Sequence, residues 1–289
     1  MSIYLLNARA PDNSVAEQID PPSLPANSRI VVLIHGYNND RAAAEKAYGA
    51  FATDAALDDG TRAVCEVFWP GDKRWGPVSF ASYPLEIKPA VATAKLLEAY
   101  IAALPVPGVW PLQVVLICHS LGNRVGLEIM SEYINAPERP QIDYSFCSMA
   151  AAVPVRFVEL GGTLLAAAMR ARGHVIMYSR GDRVLHWGFP IGETLAGEGF
   201  FPSAVGRHGE PAQLWGPSTS YEMSHAGGER YQHGDYWPGT ESAEVARAFL
   251  SGVPVPPVAS RATDQSDIPS RTTPLADTPA RALPTRPSF

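Results

Sequence analysis

Long hydrophobic runs are missing from this chain: no stretch approaches the roughly 18 consecutive apolar residues that a membrane-crossing helix needs. Its first residues, MSIYLLNARAPDNS, lack the positive start and following apolar run that mark a secretory signal peptide. Cysteine is scarce as well. The three present, Cys65, Cys118 and Cys147, each fall within an apolar, strand-like run. An odd number in such positions reads as buried, reduced thiols rather than a disulfide framework. These absences together predict a cytoplasmic protein without a transmembrane segment. Basic clusters are absent too, and the net charge of −6 argues against nucleic acid or an anionic membrane as the main partner. There is no internal repeat.

What is present is enough apolar material, 46% of 289 residues, for a sizeable core. An α/β domain of about 250 residues is an ordinary size for one folding unit. Buried-strand patterns alternate with helical ones along most of the chain. Ser2 to Leu6 reads as a short first strand, followed by a turn-rich stretch with Pro21, Pro22 and Pro25. The continuous runs 29–34, 63–69, 112–118, 143–150 and 174–179 have the character of parallel strands covered on both faces. Between them lie helical patterns, the first capped by Asn39 or Asp40, the second over Pro89 to Leu104, the third after Ser120. A further helical segment, 155–172, has an expected break at Gly161-Gly162. From Leu185 to Gln232 the pattern weakens into loops, and Glu241 to Leu250 is helical again. Parallel neighbours need crossover helices, so the expectation is an α/β fold with a doubly wound, mostly parallel sheet and helices on both faces. That domain spans 1–252. The remaining segment, 253–289, holds eight prolines in 37 residues and almost no aromatics, and is expected to be a disordered tail through which a partner could dock.

In such a sheet the ligand site lies beyond the carboxyl ends of the strands. His35, Trp69, Ser120, Ala150 and Asp182 fall there. The most informative of these ends is Val114 to Gly126, VVLICHSLGNRVG: strand, tight turn, helix, with Ser120 at the apex. A turn of this kind lifts a serine hydroxyl off the sheet edge and aims the first helical N–H groups at an oxygen that becomes negative. Residues two before and two after the serine must be small; Gly122 meets this, and Cys118 stands where glycine is commoner. The alternative is that Ser120 merely caps the helix that follows.

A serine nucleophile needs a base, and the base needs a group that fixes its tautomer and stabilises its cation. SRGDRVL places Asp182 just past a strand, and YQHGDYW places His233 on a loop before the last helix, 62 and 51 residues further along in turn. The order Ser, Asp, His is that of elbow-type hydrolases. His225 is the rival base, and Asp235 competes as the orienting acid unless it is simply solvated. His119 is expected to pack in the site wall, and His35 to order its own loop. For the oxyanion, the Leu121 N–H is one donor; Tyr37 N–H is the preferred second, with Asn38 its rival. The loop histidines His208, His225 and His233 are spaced unlike metal ligands, so no metal and no organic cofactor are called for. Trp69, Trp75, Trp187, Phe189, Phe200, Phe201, Trp215 and Trp237 lie at strand ends or in loops, and suggest either core or an apolar pocket, with Trp69, Trp187 and Asn38 as substrate contacts.

HGYNND, WPGD, CHSLGNRV, SRGDRVL and HGDYW together resemble the alpha/beta-hydrolase superfamily, and within it a serine hydrolase subfamily with HGYNN and HSLGNR motifs. The resemblance covers about Ile30 to Leu250. It implies an eight-stranded or slightly reduced sheet and a Ser120, Asp182, His233 triad, and hence a hydrolase, without naming a substrate; the expected one is a small-molecule ester or acyl compound. The alternative is a hydrolase-fold binding or scaffolding protein without significant turnover.

Overall fold

The computed structural model describes residues 3–37, 41–57, 59–71, 84–108, 111–211, 215 and 218–253. The expected helix cap at Asn39 or Asp40, the aromatic Trp75 and, but for Val253, the expected Pro-rich tail lie outside them.

Eight strands form one sheet: β1 (Ile3–Arg9), β2 (Val15–Asp20), β3 (Arg29–Ile34), β4 (Ala63–Phe68), β5 (Leu112–His119), β6 (Ile142–Met149), β7 (His174–Tyr178) and β8 (Ser218–Glu222). Their order across the sheet is β2-β1-β4-β3-β5-β6-β7-β8. Every pairing is parallel except that of β1 with β2 at one edge. The middle strands are the β-branched runs of the sequence, and β4, the second half of β5 and all of β3 after the exposed Arg29 are buried because helices cover both faces. One helical layer contains α2 (Pro84–Ala102), α3 (Gly122–Ile134) and α5 (Leu165–Arg170); α1 (Arg41–Asp54) packs with α8 (Thr240–Leu250) in the other. Three short helices, α4 (Val155–Val158), α6 (Phe189–Leu195) and α7 (Val205–His208), and one wide π-helical turn, Val184–Gly188, follow the later strands. Among the described residues no helix is long and apolar enough to cross a membrane.

The expected mostly parallel α/β sheet is therefore present, with two strands more than the periodicity showed. β2 and β8 are both edge strands. VAEQID and STSYE have one fully buried residue between them, so neither carries the apolar pattern by which a buried strand is recognised. The second helix begins at Pro84, not at Pro89. Proline is favoured in a first turn, and either residue could open the helix; Pro89 sits inside it, where its missing N–H forfeits only one bond near the start. The break at Gly161-Gly162 is real: a Cβ on Gly162 would meet the Phe157 carbonyl oxygen at 2.3 Å, and the segment divides there into α4 and α5.

His174, at the start of β7, is buried with neither ring nitrogen hydrogen-bonded among the described residues. It stacks on Trp215 at 4.4 Å between centroids and meets Phe146 edge-on. Burial pushes its pKa down to about 3, so the folded protein holds it neutral. The unfolded chain takes up that proton first, near pH 6.5, so stability is complete above that pH and falls as the pH drops toward 3. His174→Phe keeps the stacking and removes the titration. Thermal unfolding of the variant should lose less stability than wild type between pH 7.5 and pH 5, by about 2 kcal/mol. Parallel pH dependences in the two proteins would contradict this account.

Candidate active site

The ends of β3, β5, β6 and β7 bring the residues of the site to one edge of the sheet, and the loop before α8 adds His233. β5 ends at His119 and the chain turns sharply at Ser120, whose φ of +53° lies in the left-handed region that a non-glycine residue enters only under constraint. That constraint is visible. The Ser120 N–H bonds to the Met149 carbonyl at 3.0 Å, and the Ser120 carbonyl accepts from Ala152 N–H at 3.1 Å and from the Asn123 side-chain amide at 3.0 Å. Asn123 also donates to the Met149 carbonyl at 3.0 Å, tying the turn to the neighbouring strand. Sequence reasoning passed over Asn123, although it stands within CHSLGNRV three residues after the serine. Its signal would have been a short amide side chain on the first turn of a helix, able to reach back to the turn it follows.

Two glycines make the geometry possible. A Cβ on Gly36 would lie 2.5 Å from the Ser120 Cβ, and one on Gly122 would lie 2.5 Å from the Ile34 carbonyl oxygen. The loop after β3 thus passes against the serine with no room for a side chain on either partner. Cys118 fits where glycine is commoner because the helix opposite has a glycine of its own: a Cβ on Gly126 would come within 2.8 Å of the Cys118 Sγ. The thiol is buried, and desolvation pushes its pKa well above the ordinary value, so it is an inert packing group.

Asp182 follows β7 on a turn held by its own N–H to the Ser179 carbonyl and by the Gly181 N–H to Ser179 Oγ. Ser179 Oγ in turn donates to the Tyr231 carbonyl at 2.7 Å, joining this turn to the loop that carries His233. Asp182 is fully buried. Its Oδ1 accepts the Leu185 N–H at 2.9 Å and its Oδ2 faces His233 Nδ1 at 2.7 Å. On the other side of the ring, His233 Nε2 is 2.8 Å from Ser120 Oγ. Three residues far apart along the chain are thereby brought into one hydrogen-bonded line. The α3 cap position is Leu121 and carries no side-chain cap bond, so Ser120 Oγ serves His233 and does not cap the helix.

The remaining candidates separate clearly. The Leu121 N–H has no hydrogen-bond partner among the described residues. Tyr37, half-buried, follows directly on the glycine that contacts Ser120. Asn38 lies outside the described residues. His35 Nδ1–H donates to the Gly36 carbonyl at 2.8 Å and so orders its own loop. His225 faces Asp235 at 3.1 Å instead of the serine, and Asp235 also accepts the Gln232 N–H at 2.6 Å. Asp235, with its side chain 31% exposed, is not the partner of His233; it clips the loop on which His233 rides.

The aromatic residues divide in a way the sequence did not show. Trp69 was expected to contact substrate, but it is fully buried, stacked on His35 with its indole N–H on the His35 carbonyl at 2.9 Å. It supports the loop from beneath and presents no surface to a ligand. Phe189, Trp215 and Trp237 are likewise core. Trp187 is 67% exposed and belongs to a row in sequence, with Ile191, Leu195, Phe200 and Phe201, whose members are each open to solvent. Positions 187, 191 and 195 share one helical face, and Glu198 of the same excursion is held against α3 and α4 by Arg124 and Arg156 at 3.7 and 4.0 Å.

No family model matches the chain, and no curated protein does. Among solved structures, one described as a "putative cell surface hydrolase" from Lactobacillus plantarum is similar with a TM-score of 0.38 and 10% identity, over 81% of this chain and 95% of that one. Similarity of that degree carries no argument about activity, which has to come from the site.

Proposed function

We propose that the protein is a serine hydrolase acting on carboxylic esters. The observation that carries this reading is the hydrogen-bonded line Ser120 Oγ, His233 Nε2, His233 Nδ1, Asp182 Oδ2, at 2.8 and 2.7 Å. A carboxylate can only accept, so Nδ1 carries the ring proton and Nε2 presents its lone pair to the serine hydroxyl. As the Ser120 oxygen attacks an ester carbonyl, Nε2 takes its proton, and Asp182 stabilises the imidazolium that results. The carbonyl oxygen becomes negative beside the Leu121 N–H, with Tyr37 N–H as the second donor. Collapse breaks the bond to the alcohol, which leaves with the proton from Nε2. Water then gives a proton to His233 Nε2 and attacks the acyl carbon; the bond to Ser120 Oγ breaks, Oγ takes the proton back from Nε2, and the acid leaves. No step calls on a metal or an organic cofactor.

A binding protein would have little use for this arrangement. Burying Asp182 and holding Ser120 in a left-handed turn both cost stability, which a merely structural site would not need to spend. The exposed row Trp187, Ile191, Leu195, Phe200 and Phe201 begins five residues after Asp182 and favours substrates with an apolar acyl or aryl group.

A fluorophosphonate probe should label the wild-type protein, with the adduct on the peptide containing Ser120, and nitrophenyl esters should be hydrolysed. Folded protein that neither takes up the probe nor turns over any ester in a panel of differing chain length would refute the proposal.

A further inference from the structure

His119 lies next to the nucleophile in sequence and is bound in space to the base. It ends β5, is 5% exposed, and its Nε2 stands 2.8 Å from the main-chain carbonyl oxygen of His233. A carbonyl only accepts, so the ring proton of His119 is on Nε2, and Nδ1 keeps a bare lone pair; among the described residues that atom has no hydrogen-bond partner. The ring is packed among aromatic neighbours, 5.1 Å from the His233 ring and 5.9 Å from each of Tyr236 and Trp237. The other restraints on this loop act to either side of His233: Tyr231 OH donates to Glu241, and Asp235 holds Gln232. His119 alone among these holds the main chain of His233 itself.

From this geometry, and on the hydrolase reading above, we propose that His119 is a positioning residue: its Nε2–H anchors the His233 main chain to the strand end that carries Ser120. Nucleophile and base are then tethered by a bond that does not depend on the reacting one. The tether survives while the Ser120 proton is in transit and the Oγ to Nε2 contact is being remade. A second property of His119 suits the task. Burial, reinforced by the neighbouring His233, pushes its pKa down to about 3. Asp182, His233 and His35 are the titratable groups that act on it. It remains neutral at working pH, so it holds His233 without a positive charge that would oppose imidazolium formation there. A lysine or arginine could supply a donor at this place only at that electrostatic cost.

Three substitutions test the role. In His119→Gln the side-chain amide reaches the place of Nε2 and keeps the donor. In His119→Asn the amide is too short to reach the His233 carbonyl, and in His119→Phe the ring fills the aromatic pocket without a donor. Misplacing a reacting group by about 1 Å is worth on the order of a hundredfold in rate. The expected result is therefore a fall in kcat of about 10- to 100-fold in the Asn and Phe variants with KM changed less than about twofold, and recovery to within about fivefold of wild type in the Gln variant. Fluorophosphonate labelling rates at Ser120 should follow the same order, with all three proteins melting within a few degrees of wild type. A folded Phe or Asn variant that is labelled and turns over at the wild-type rate would overturn the proposal, as would a folded Gln variant no better than Phe. Both leave the hydrolase reading standing, whereas wild type that is never labelled at Ser120 removes that reading and this one with it.

Discussion

Replacing Ser120 with alanine is expected to lower kcat by about a million-fold while the protein keeps its fold. The size of the effect follows from what the side chain does. Ser120 Oγ is the atom that forms the bond to the acyl group, and among the described residues no other hydroxyl is hydrogen-bonded to His233 Nε2. Members of a catalytic unit are non-additive, so losing the nucleophile costs nearly as much as losing the whole unit, and what remains comes from oxyanion donors and substrate binding. Structurally the exchange is mild. Alanine occupies the same left-handed turn at similar strain, and the bonds that define the turn run through the Ser120 N–H and carbonyl, which alanine also has. Ester hydrolysis assayed beside thermal unfolding would separate the two effects. Activity within a hundredfold of wild type in folded Ser120→Ala would show that another residue performs the attack.

Asp182→Asn is expected to lower kcat by about ten-thousand-fold with little change in KM. The argument rests on the second bond that Asp182 makes. Its Oδ1 accepts the Leu185 N–H, so in the amide variant the oxygen is held there and the NH2 is turned toward His233 Nδ1. A ring nitrogen facing a donor must carry the lone pair, and the ring proton then moves to Nε2, pointing at Ser120 Oγ. The base is present, correctly placed and of the wrong tautomer. Because Leu185 keeps its partner and the side-chain volume is unchanged, melting temperature should shift by only a few degrees. If kcat falls less than tenfold, some other group sets the tautomer of His233 and the role assigned to Asp182 is wrong.

Much of this architecture could be read from residues in order. Arg29–Ile34 is a strand with the bounds expected of it, because an uninterrupted β-branched run ending at His35-Gly36 has no other stable use in a chain of this length. The elbow was legible for a similar reason: Gly122 and Ser120 stand where a strand pattern changes into a helical one. Where local pattern is weak the reading failed. STSYE pairs with β7 only because that sheet edge is available, and nothing within its five residues requires a strand. Trp69 illustrates the limit from the other side, since a tryptophan at a strand end is equally at home against substrate or beneath a loop. Its placement is decided by residues remote in sequence: His35, which it stacks on and donates to, and Tyr48, which packs against the same ring.

Periodicity and turn chemistry within a few residues were enough for the parallel α/β architecture, the strand-turn-helix at Ser120 and a short set of candidates, Asp182 or Asp235 as acid and His233 or His225 as base. Tertiary structure alone decided that His225 is bound to Asp235 and His233 to Ser120, that Gly126 makes room for Cys118, and that His119 reaches the main chain of His233. Local pattern settles none of them, and two join residues 113 and 114 positions apart, His233 to Ser120 and to His119. Their selection comes from close packing and from the cost of leaving buried polar atoms unpaired, and both act only when the whole sheet has assembled.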